Sequence, residues 1–222
     1  MPADVTVPLP AGGQTAARYY ESTGARRRCL FVFAHGAGAG QGHPFMTAYA
    51  GALASRGVDV LTFDFPYINA GRRAPDRAPV LETCFRAVVA DARALPQLAG
   101  HAVFIGGKSM GGRMATHLAA QGLEGLRGVI VLGYPLHPPG KPDQLRVEHL
   151  PEITVPVLVI QGERDAFGAP EELRPHLARV PGGATVHSVP GGDHSLGVRG
   201  VKPERLREEL AAVMVGWIDA HA

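Results

Sequence analysis

Short apolar runs recur along the chain and alternate with segments whose apolar residues repeat every three or four positions. The runs, rich in β-branched and aromatic residues, cover 29–33, 58–63, 102–105, 129–132 and 157–160, with weaker ones at 17–20 and 184–189. Helical spacing marks residues 45–53, 81–95, 110–118 and 206–218. Continuous apolar strands are typical of sheets buried on both faces. The alternation predicts an α/β fold with a mostly parallel sheet and helices on both faces, and residues 17–20 are expected to add an antiparallel strand.

Composition predicts one domain and excludes several classes of partner. The chain has 222 residues, of which 45% are hydrophobic, and it contains no internal repeat or linker, so we expect residues 1–222 to fold as one domain. A net charge of +2 gives no basis for nucleic-acid binding or for a polybasic membrane surface. We expect a cytoplasmic location, because neither a secretory signal nor a membrane-length apolar run is evident. The sequence does not indicate an oligomeric state.

The segment Gly107-Lys108-Ser109-Met110-Gly111 fits the pattern G-x-S-x-G directly after a predicted strand and before a predicted helix. This pattern places a serine on a sharp strand-to-helix turn, where glycines two residues before and after leave room for neighbouring backbone. The serine oxygen then stands at the positive end of a helix. Ser109 is therefore the candidate nucleophile.

Two other interpretations of this segment compete with a serine nucleophile. A phosphate-binding loop of the form G-x-x-x-x-G-K-S would need glycine at position 102, where the chain has Ala102 in a predicted strand. A structural turn whose serine only caps a helix stays open on this segment alone. The role of Lys108 is also open: it either lines the pocket or pairs with a buried carboxylate, and we favour the second.

A serine nucleophile needs a histidine base and an acid that orients it, in the chain order Ser, Asp or Glu, His. His194 lies in a loop between the last predicted strand and the last helix, which makes it the candidate base. Asp165 directly follows the strand at 157–160 and is the preferred acid. Asp193 and Glu163 are its rivals, and Asp193 is disfavoured because adjacent residues rarely point at each other.

The glycine-rich loop after the first parallel strand, Ala34-His35-Gly36-Ala37-Gly38, is typical of an oxyanion loop. We expect the backbone N–H groups of Ala37 and Met110 to form the oxyanion hole. His35 is interpreted as a brace within its loop. The dinucleotide pattern G-x-G-x-x-G fails from both Gly36 and Gly38, and no metal-binding motif occurs, so no cofactor and no metal are expected.

With these motifs in order, the sequence resembles the α/β-hydrolase superfamily over nearly its whole length. It is most similar to the small, lidless branch that includes dienelactone hydrolases and the bacterial relatives of testis-expressed and histone-acetyltransferase-complex hydrolase-like proteins. The resemblance is carried by the oxyanion loop (residues 34–38) and by the turn around Ser109 (residues 107–113), which we call the elbow. Segments 63–67, 133–140, 161–165 and 193–195 also carry it. It implies Ser109 as nucleophile, Asp165 as acid and His194 as base. Dienelactone hydrolases proper use a cysteine nucleophile, so their substrate does not transfer to this chain.

These observations predict a serine hydrolase that cleaves small ester-type acyl bonds through an acyl-enzyme. A catalytically silent binding or scaffold protein of the same fold is the alternative. Gly36, Gly38 and His137 are expected to contact the substrate. The proline-rich segment 133–156 is too short for a cap, and we expect one short helix near residues 144–149. An open site with little apolar wall should prefer short acyl groups, from acetate to butyrate.

Overall fold

A computed structural model describes residues 2–222, and its eight strands form one sheet in the order β1-β2-β4-β3-β5-β6-β7-β8. The strands are β1 (Ala3–Pro8), β2 (Gln14–Tyr20), β3 (Cys29–Ala34), β4 (Asp59–Phe63), β5 (Ala102–Lys108), β6 (Leu126–Leu132), β7 (Val157–Gly162) and β8 (Ala184–Val189). Strands β3 to β8 are parallel, and β2 pairs antiparallel with β1 and with β4. The predicted α/β architecture is confirmed, including the antiparallel strand at residues 17–20.

Helices cover both faces of this sheet, as the alternating pattern predicts. They are α1 (Pro44–Ala54), α2 (Pro66–Asn69), α3 (Ala78–Ala94), α4 (Met110–Ala120), α5 (Pro170–Leu177) and α6 (Pro203–His221). The apolar sides of α3, α4 and α5 pack in one core cluster, and those of α1 and α6 pack in a second cluster on the opposite face. The central strands β3 and β7 are fully buried because they lie between these two layers.

Strand β5 is longer than the apolar run that predicts it. The run ends at Ile105, but the strand continues through Gly106, Gly107 and Lys108 up to Ser109. A Cβ on Gly106 would lie 1.9 Å from the Ile130 carbonyl oxygen, so only glycine lets β5 pair this closely with β6. The nucleophile candidate therefore stands at the carboxyl end of a central strand.

The segment 133–156 is a folded-back loop, and the short helix expected at residues 144–149 is wrong. The structure instead has a single 3₁₀ turn at Leu150–Glu152. The preceding residues are held in an irregular conformation because the Arg146 N–H donates to the Leu136 carbonyl (2.9 Å) and the Tyr134 hydroxyl donates to the Arg146 carbonyl (2.5 Å). The segment adds no cap domain to the sheet.

Other details go beyond the sequence prediction. Strand β1 and helices α2 and α5 have no counterpart in it. Cys29 and Cys84 are buried and free, as their apolar neighbours predict. Every helix within residues 2–222 is too short or too polar to span a membrane.

Candidate active site

Ser109 occupies a strained turn between β5 and α4. Its backbone has φ 51° and ψ −115°, a conformation that non-glycine residues rarely adopt. Its N–H donates to the Leu132 carbonyl (3.0 Å), and its carbonyl accepts from Arg113 in the first turn of α4 (3.0 Å). These bonds hold the turn and leave the side chain free to point into the cleft.

The glycines of this turn are required by backbone that passes close to it. A Cβ on Gly107 or on Gly111 would lie 2.5 Å from the Ala34 carbonyl oxygen at the end of β3. A Cβ on Gly112 would lie 2.5 Å from a methyl group of Val131 in β6. Such distances are too short for any Cβ, so the turn packs against its neighbours only with glycine at these positions.

The structure brings Ser109, His194 and Asp165 into one line of hydrogen bonds. His194 Nε2 lies 2.8 Å from Ser109 Oγ, and His194 Nδ1 lies 2.7 Å from Asp165 Oδ2 and 2.9 Å from Oδ1. The Asp165 side chain is fully buried, whereas that of His194 is 21% exposed. The histidine therefore joins a buried carboxylate to a hydroxyl at the cleft surface.

The carboxylate of Asp165 is held from several sides. Gln161 at the end of β7 donates through Nε2 to Asp165 Oδ2 (2.9 Å), and the Phe167 N–H donates to Oδ1 (2.8 Å). The Gln161 amide also donates to the Gly168 carbonyl (2.7 Å) and accepts from the Tyr134 N–H (2.7 Å). These bonds use both oxygens of the carboxylate and fix its direction.

The two rival acids point elsewhere. Asp193 accepts the N–H groups of Ser195 (2.8 Å) and Gly197 (2.9 Å) within its own loop. Glu163 accepts the Gly191 N–H (3.0 Å). Both carboxylates shape the loop that carries His194, and neither is bonded to its ring.

Gln161 and Phe167 are parts of the site that sequence reasoning missed. Gln161 is buried, and the ring of Phe167 stacks on the His194 ring at 4.1 Å between centroids. The sequence does carry a signal for Gln161, which is a polar residue near the end of a buried strand, four positions before the candidate acid. Phe167 has no comparable signal, because only the folded loop places its ring against His194.

Ala37 and Met110 both lie at the cleft beside Ser109. Met110 is the first residue of α4, where helical N–H groups have no partner within the helix. Within residues 2–222 the Ala37 N–H makes no backbone hydrogen bond. Gly36 brings its loop close, since a Cβ there would lie 3.7 Å from Ser109 Cβ. Both residues thus line the cleft with N–H groups that make no backbone hydrogen bond within residues 2–222.

His35 braces this loop, as expected. It is fully buried, its Nδ1–H donates to the Gly36 carbonyl (2.8 Å), and its Nε2 accepts from the Phe65 N–H (3.0 Å). Burial lowers the pKa of His35, which keeps the ring neutral and able to accept this bond.

The cleft in front of Ser109 has a volume of about 560 Å³. The expectation of little apolar wall is wrong, because α1, α3 and three loops supply apolar side chains that the sequence does not assign to the site. Those that line the cleft are Phe45, Met46, Pro75, Ala78, Leu81, Met110, Pro135 and Phe167. Ser109 therefore faces a largely apolar cleft of moderate size.

Two of the residues expected to contact substrate do not line this cleft. Gly36 does, but Gly38 and His137 are absent from its lining, and His137 is a buried residue of the segment 133–156. The His137 ring is buried and its Nδ1–H donates to the Pro138 carbonyl (2.9 Å), while Nε2 faces Glu172 at 3.5 Å. The prediction for His137 is corrected: its ring packs inside the loop, where, among residues 2–222, its one hydrogen bond is to the Pro138 carbonyl.

Lys108 lines the cleft, and the favoured pairing with a buried carboxylate is wrong. Its Nζ donates to the backbone carbonyl of His194 and lies 5.9 Å from the centre of the Phe45 ring. Burial lowers the pKa of Lys108 to about 8, although the charges of Asp165 and Asp193 oppose this shift. The amine therefore ties the elbow to the loop that carries the histidine.

None of the residues from 2 to 222 forms a cluster of three or more side chains suited to bind a metal ion.

The lowered pKa of Lys108 gives a prediction for stability. The unfolded lysine has a pKa near 10.5, so the unfolded chain holds this proton more tightly, and the fold gains stability as the pH rises through 8. We expect the free energy of unfolding of the wild type, relative to Lys108→Met, to increase by about 1 kcal/mol between pH 7 and pH 9. Urea titrations of the wild type and of Lys108→Met at both pH values measure this difference in the free energy of unfolding. The exposed Lys141→Met is the control, and a difference independent of pH would contradict the prediction.

Comparison with known proteins agrees with this architecture. A dienelactone hydrolase from Anabaena variabilis has a TM-score of 0.80 at 19% identity, over 100% of this chain and 98% of its own. A lidless α/β serine hydrolase from Xanthomonas campestris has a TM-score of 0.75 at 20% identity, over 99% and 94%. Est1E from Butyrivibrio proteoclasticus, solved with ferulic acid, has a TM-score of 0.74 at 17% identity, over 97% and 99%. A family model described as an alpha/beta hydrolase domain matches residues 27–220. The chain therefore belongs to the α/β-hydrolase family.

Proposed function

We propose that this protein is a serine hydrolase that cleaves small ester-type acyl bonds. The observation that carries the proposal is the unbroken hydrogen-bond chain from the buried Asp165 through His194 to Ser109, with distances of 2.7 and 2.8 Å. A hydroxyl becomes a useful nucleophile when a base can take its proton and an acid orients that base.

The reaction follows from these positions. His194 Nε2 takes the proton of Ser109 as its Oγ attacks the acyl carbon, and the N–H groups of Ala37 and Met110 stabilise the negative oxygen that forms. His194 then gives the proton to the leaving alcohol, which leaves an ester on Ser109. Water, activated by the same histidine, releases the acid and restores the serine. Asp165 holds the ring in the tautomer that these transfers need.

The cleft and the relatives support small acyl compounds as substrates. A volume of about 560 Å³ lies in the range of sites for small organic molecules. One similar protein is named as a dienelactone hydrolase and another is described as an esterase domain, so their names cover a lactone and an ester. Esters, thioesters and lactones all react through the same acyl-transfer steps, so a carboxylesterase, a thioesterase and a lactonase would use the same groups.

Removing the nucleophile tests the proposal. Ser109→Ala should lower kcat for 4-nitrophenyl acetate by at least about 10⁴-fold, because no other group can form the acyl-enzyme. Ser195→Ala is the matched control, since Ser195 also lines the cleft but its hydroxyl forms no hydrogen bond with the His194 ring, whose Nε2 is bonded to Ser109. The rate of 4-nitrophenol release measures both.

Equal activity of the two variants would exclude Ser109 as the nucleophile. Inertness of the wild type toward a broad panel of esters, thioesters and lactones would favour the alternative, a hydrolase-fold binding or scaffold protein.

The identity of the acid gives a second test in the same region. Asp165→Asn should lower kcat by about 10⁴-fold, because an amide can hold the imidazole in the wrong tautomer. Asp193→Asn should cost far less, since its oxygen only accepts backbone N–H groups of its own loop. Comparable losses from the two substitutions would mean that the acid has been assigned to the wrong residue.

The size of the cleft predicts a limit on acyl length. Its apolar wall should favour butyrate over acetate, at up to ~0.8 kcal/mol for each buried methylene. Longer chains should add nothing once they extend past a cleft of about 560 Å³ into solvent. We expect kcat/KM for 4-nitrophenyl esters to rise to about four carbons and then level or fall. A steady rise through eight or more carbons would contradict this expectation and indicate a long apolar channel.

A further inference from the structure

Two arginines stand in the wall of the cleft without a carboxylate partner. Arg113 and Arg146 both line the cleft that contains Ser109, and neither forms an ion pair within residues 2–222. Arg113 Nε is buried with no hydrogen-bond partner in that part of the chain. Arg146 makes one bond with its guanidinium, a long one (3.3 Å) to the Pro135 carbonyl. Unsatisfied buried donors are rare in folded proteins and call for an explanation.

The nearby carboxylates do not neutralise this pair. Glu82 is engaged by His117 (2.7 Å) and Gln121 (2.8 Å). Asp76 is the one carboxylate among the described residues that line the cleft, and Arg72 pairs with it (2.7 Å). Burial and then the like charge of Arg146 lower the pKa of Arg113. Neither guanidinium thus has a carboxylate within ion-pair distance among residues 2–222, although the more distant charges of Glu82 and Glu148 oppose the lowering of the Arg113 pKa.

Their positions relative to the serine are fixed. Arg113 lies in the first turn of α4, where its N–H donates to the Ser109 carbonyl (3.0 Å). Arg146 is held through its backbone by Leu136 (2.9 Å) and by the hydroxyl of the buried Tyr134 (2.5 Å). An anion bound by the guanidiniums would therefore share one cleft with an acyl group at Ser109.

Resting on the proposed function, we propose that Arg113 and Arg146 bind a carboxylate carried by the substrate, so that the preferred esters are monoanions. The planar guanidinium offers paired donors that match a carboxylate. The rest of the wall is largely apolar, which favours a carboxylate over the more strongly hydrated phosphate. The same wall would hold the hydrocarbon part that joins this carboxylate to the ester.

Matched pairs of esters test the proposal on either side of the scissile bond. Mono-4-nitrophenyl glutarate is compared with 4-nitrophenyl valerate, and 4-acetoxybenzoate with its methyl ester. In at least one pair, the kcat/KM of the wild type should be about tenfold or more higher for the anion than for the neutral ester. A difference of that size corresponds to one hydrogen bond to a charged group. This comparison needs no variant, so a variant that fails to fold leaves it valid.

Variants then assign the preference to the two arginines. The ratio of kcat/KM for anion over neutral ester should fall about tenfold in Arg113→Met and in Arg146→Met. It should not change in Arg205→Met, which removes an arginine from the exposed face of α6. A ratio near one in both wild-type pairs, or a preference that survives both cleft substitutions, would overturn the proposal.

Binding to an inactive variant separates this inference from the hydrolase proposal. Ser109→Ala should bind monomethyl glutarate at least about tenfold more tightly than dimethyl glutarate in calorimetry, without any turnover. Selective binding with no hydrolysis by the wild type would support the carboxylate site and contradict the proposed function. Hydrolysis with equal binding of the two compounds would contradict the carboxylate site and leave the proposed function intact.

Discussion

The close packing of backbone around Ser109 is the constraint on which the rest of the site depends. Strand β5 can run between β3 and β6 up to the serine only because Gly106 and Gly107 have no Cβ to meet the carbonyls of Ile130 and Ala34. The turn then forces Ser109 to a φ of 51°, which directs its side chain away from the sheet. Hydrogen bonds of the Ser109 N–H to Leu132 and of its carbonyl with Arg113 hold the strained turn on both sides.

The base and acid loops are built against this turn in the same manner. A Cβ on Gly162 would lie 2.4 Å from the Asp193 carbonyl, so glycine there lets the loop that carries His194 lie directly on the end of β7. Lys108 donates to the backbone of that loop from the elbow side, and Gln161 holds Asp165 from the sheet side. Each group that would take part in proton transfer is thus supported by a strand end, which limits its motion.

Periodicity and motif spacing predicted the sheet, its helices and the meeting of Ser109 with its partners. Such features depend on local pattern, because apolar period and glycine position decide them. The contents of the cleft did not follow from pattern. Phe167 and Arg146 belong to loops whose conformation is set by tertiary hydrogen bonds. His137 lies in such a loop too, which is why the prediction that it contacts substrate was wrong. The apolar wall of the cleft was not predicted either. Much of it comes from helices α1 and α3, where periodicity indicates which residues are apolar but not which of them reach the cleft.

Activation of Ser109 by His194 is the central step of the proposed reaction, and labelling with a fluorophosphonate followed by peptide mapping measures it directly. The chain has five serines, so the adduct can be assigned to one of them without ambiguity. We predict a single adduct on Ser109 in the wild type and a labelling rate at least about 100-fold lower in His194→Gln, the loss typical of a missing general base. An adduct on another residue, or an equal rate in the variant, would contradict the account.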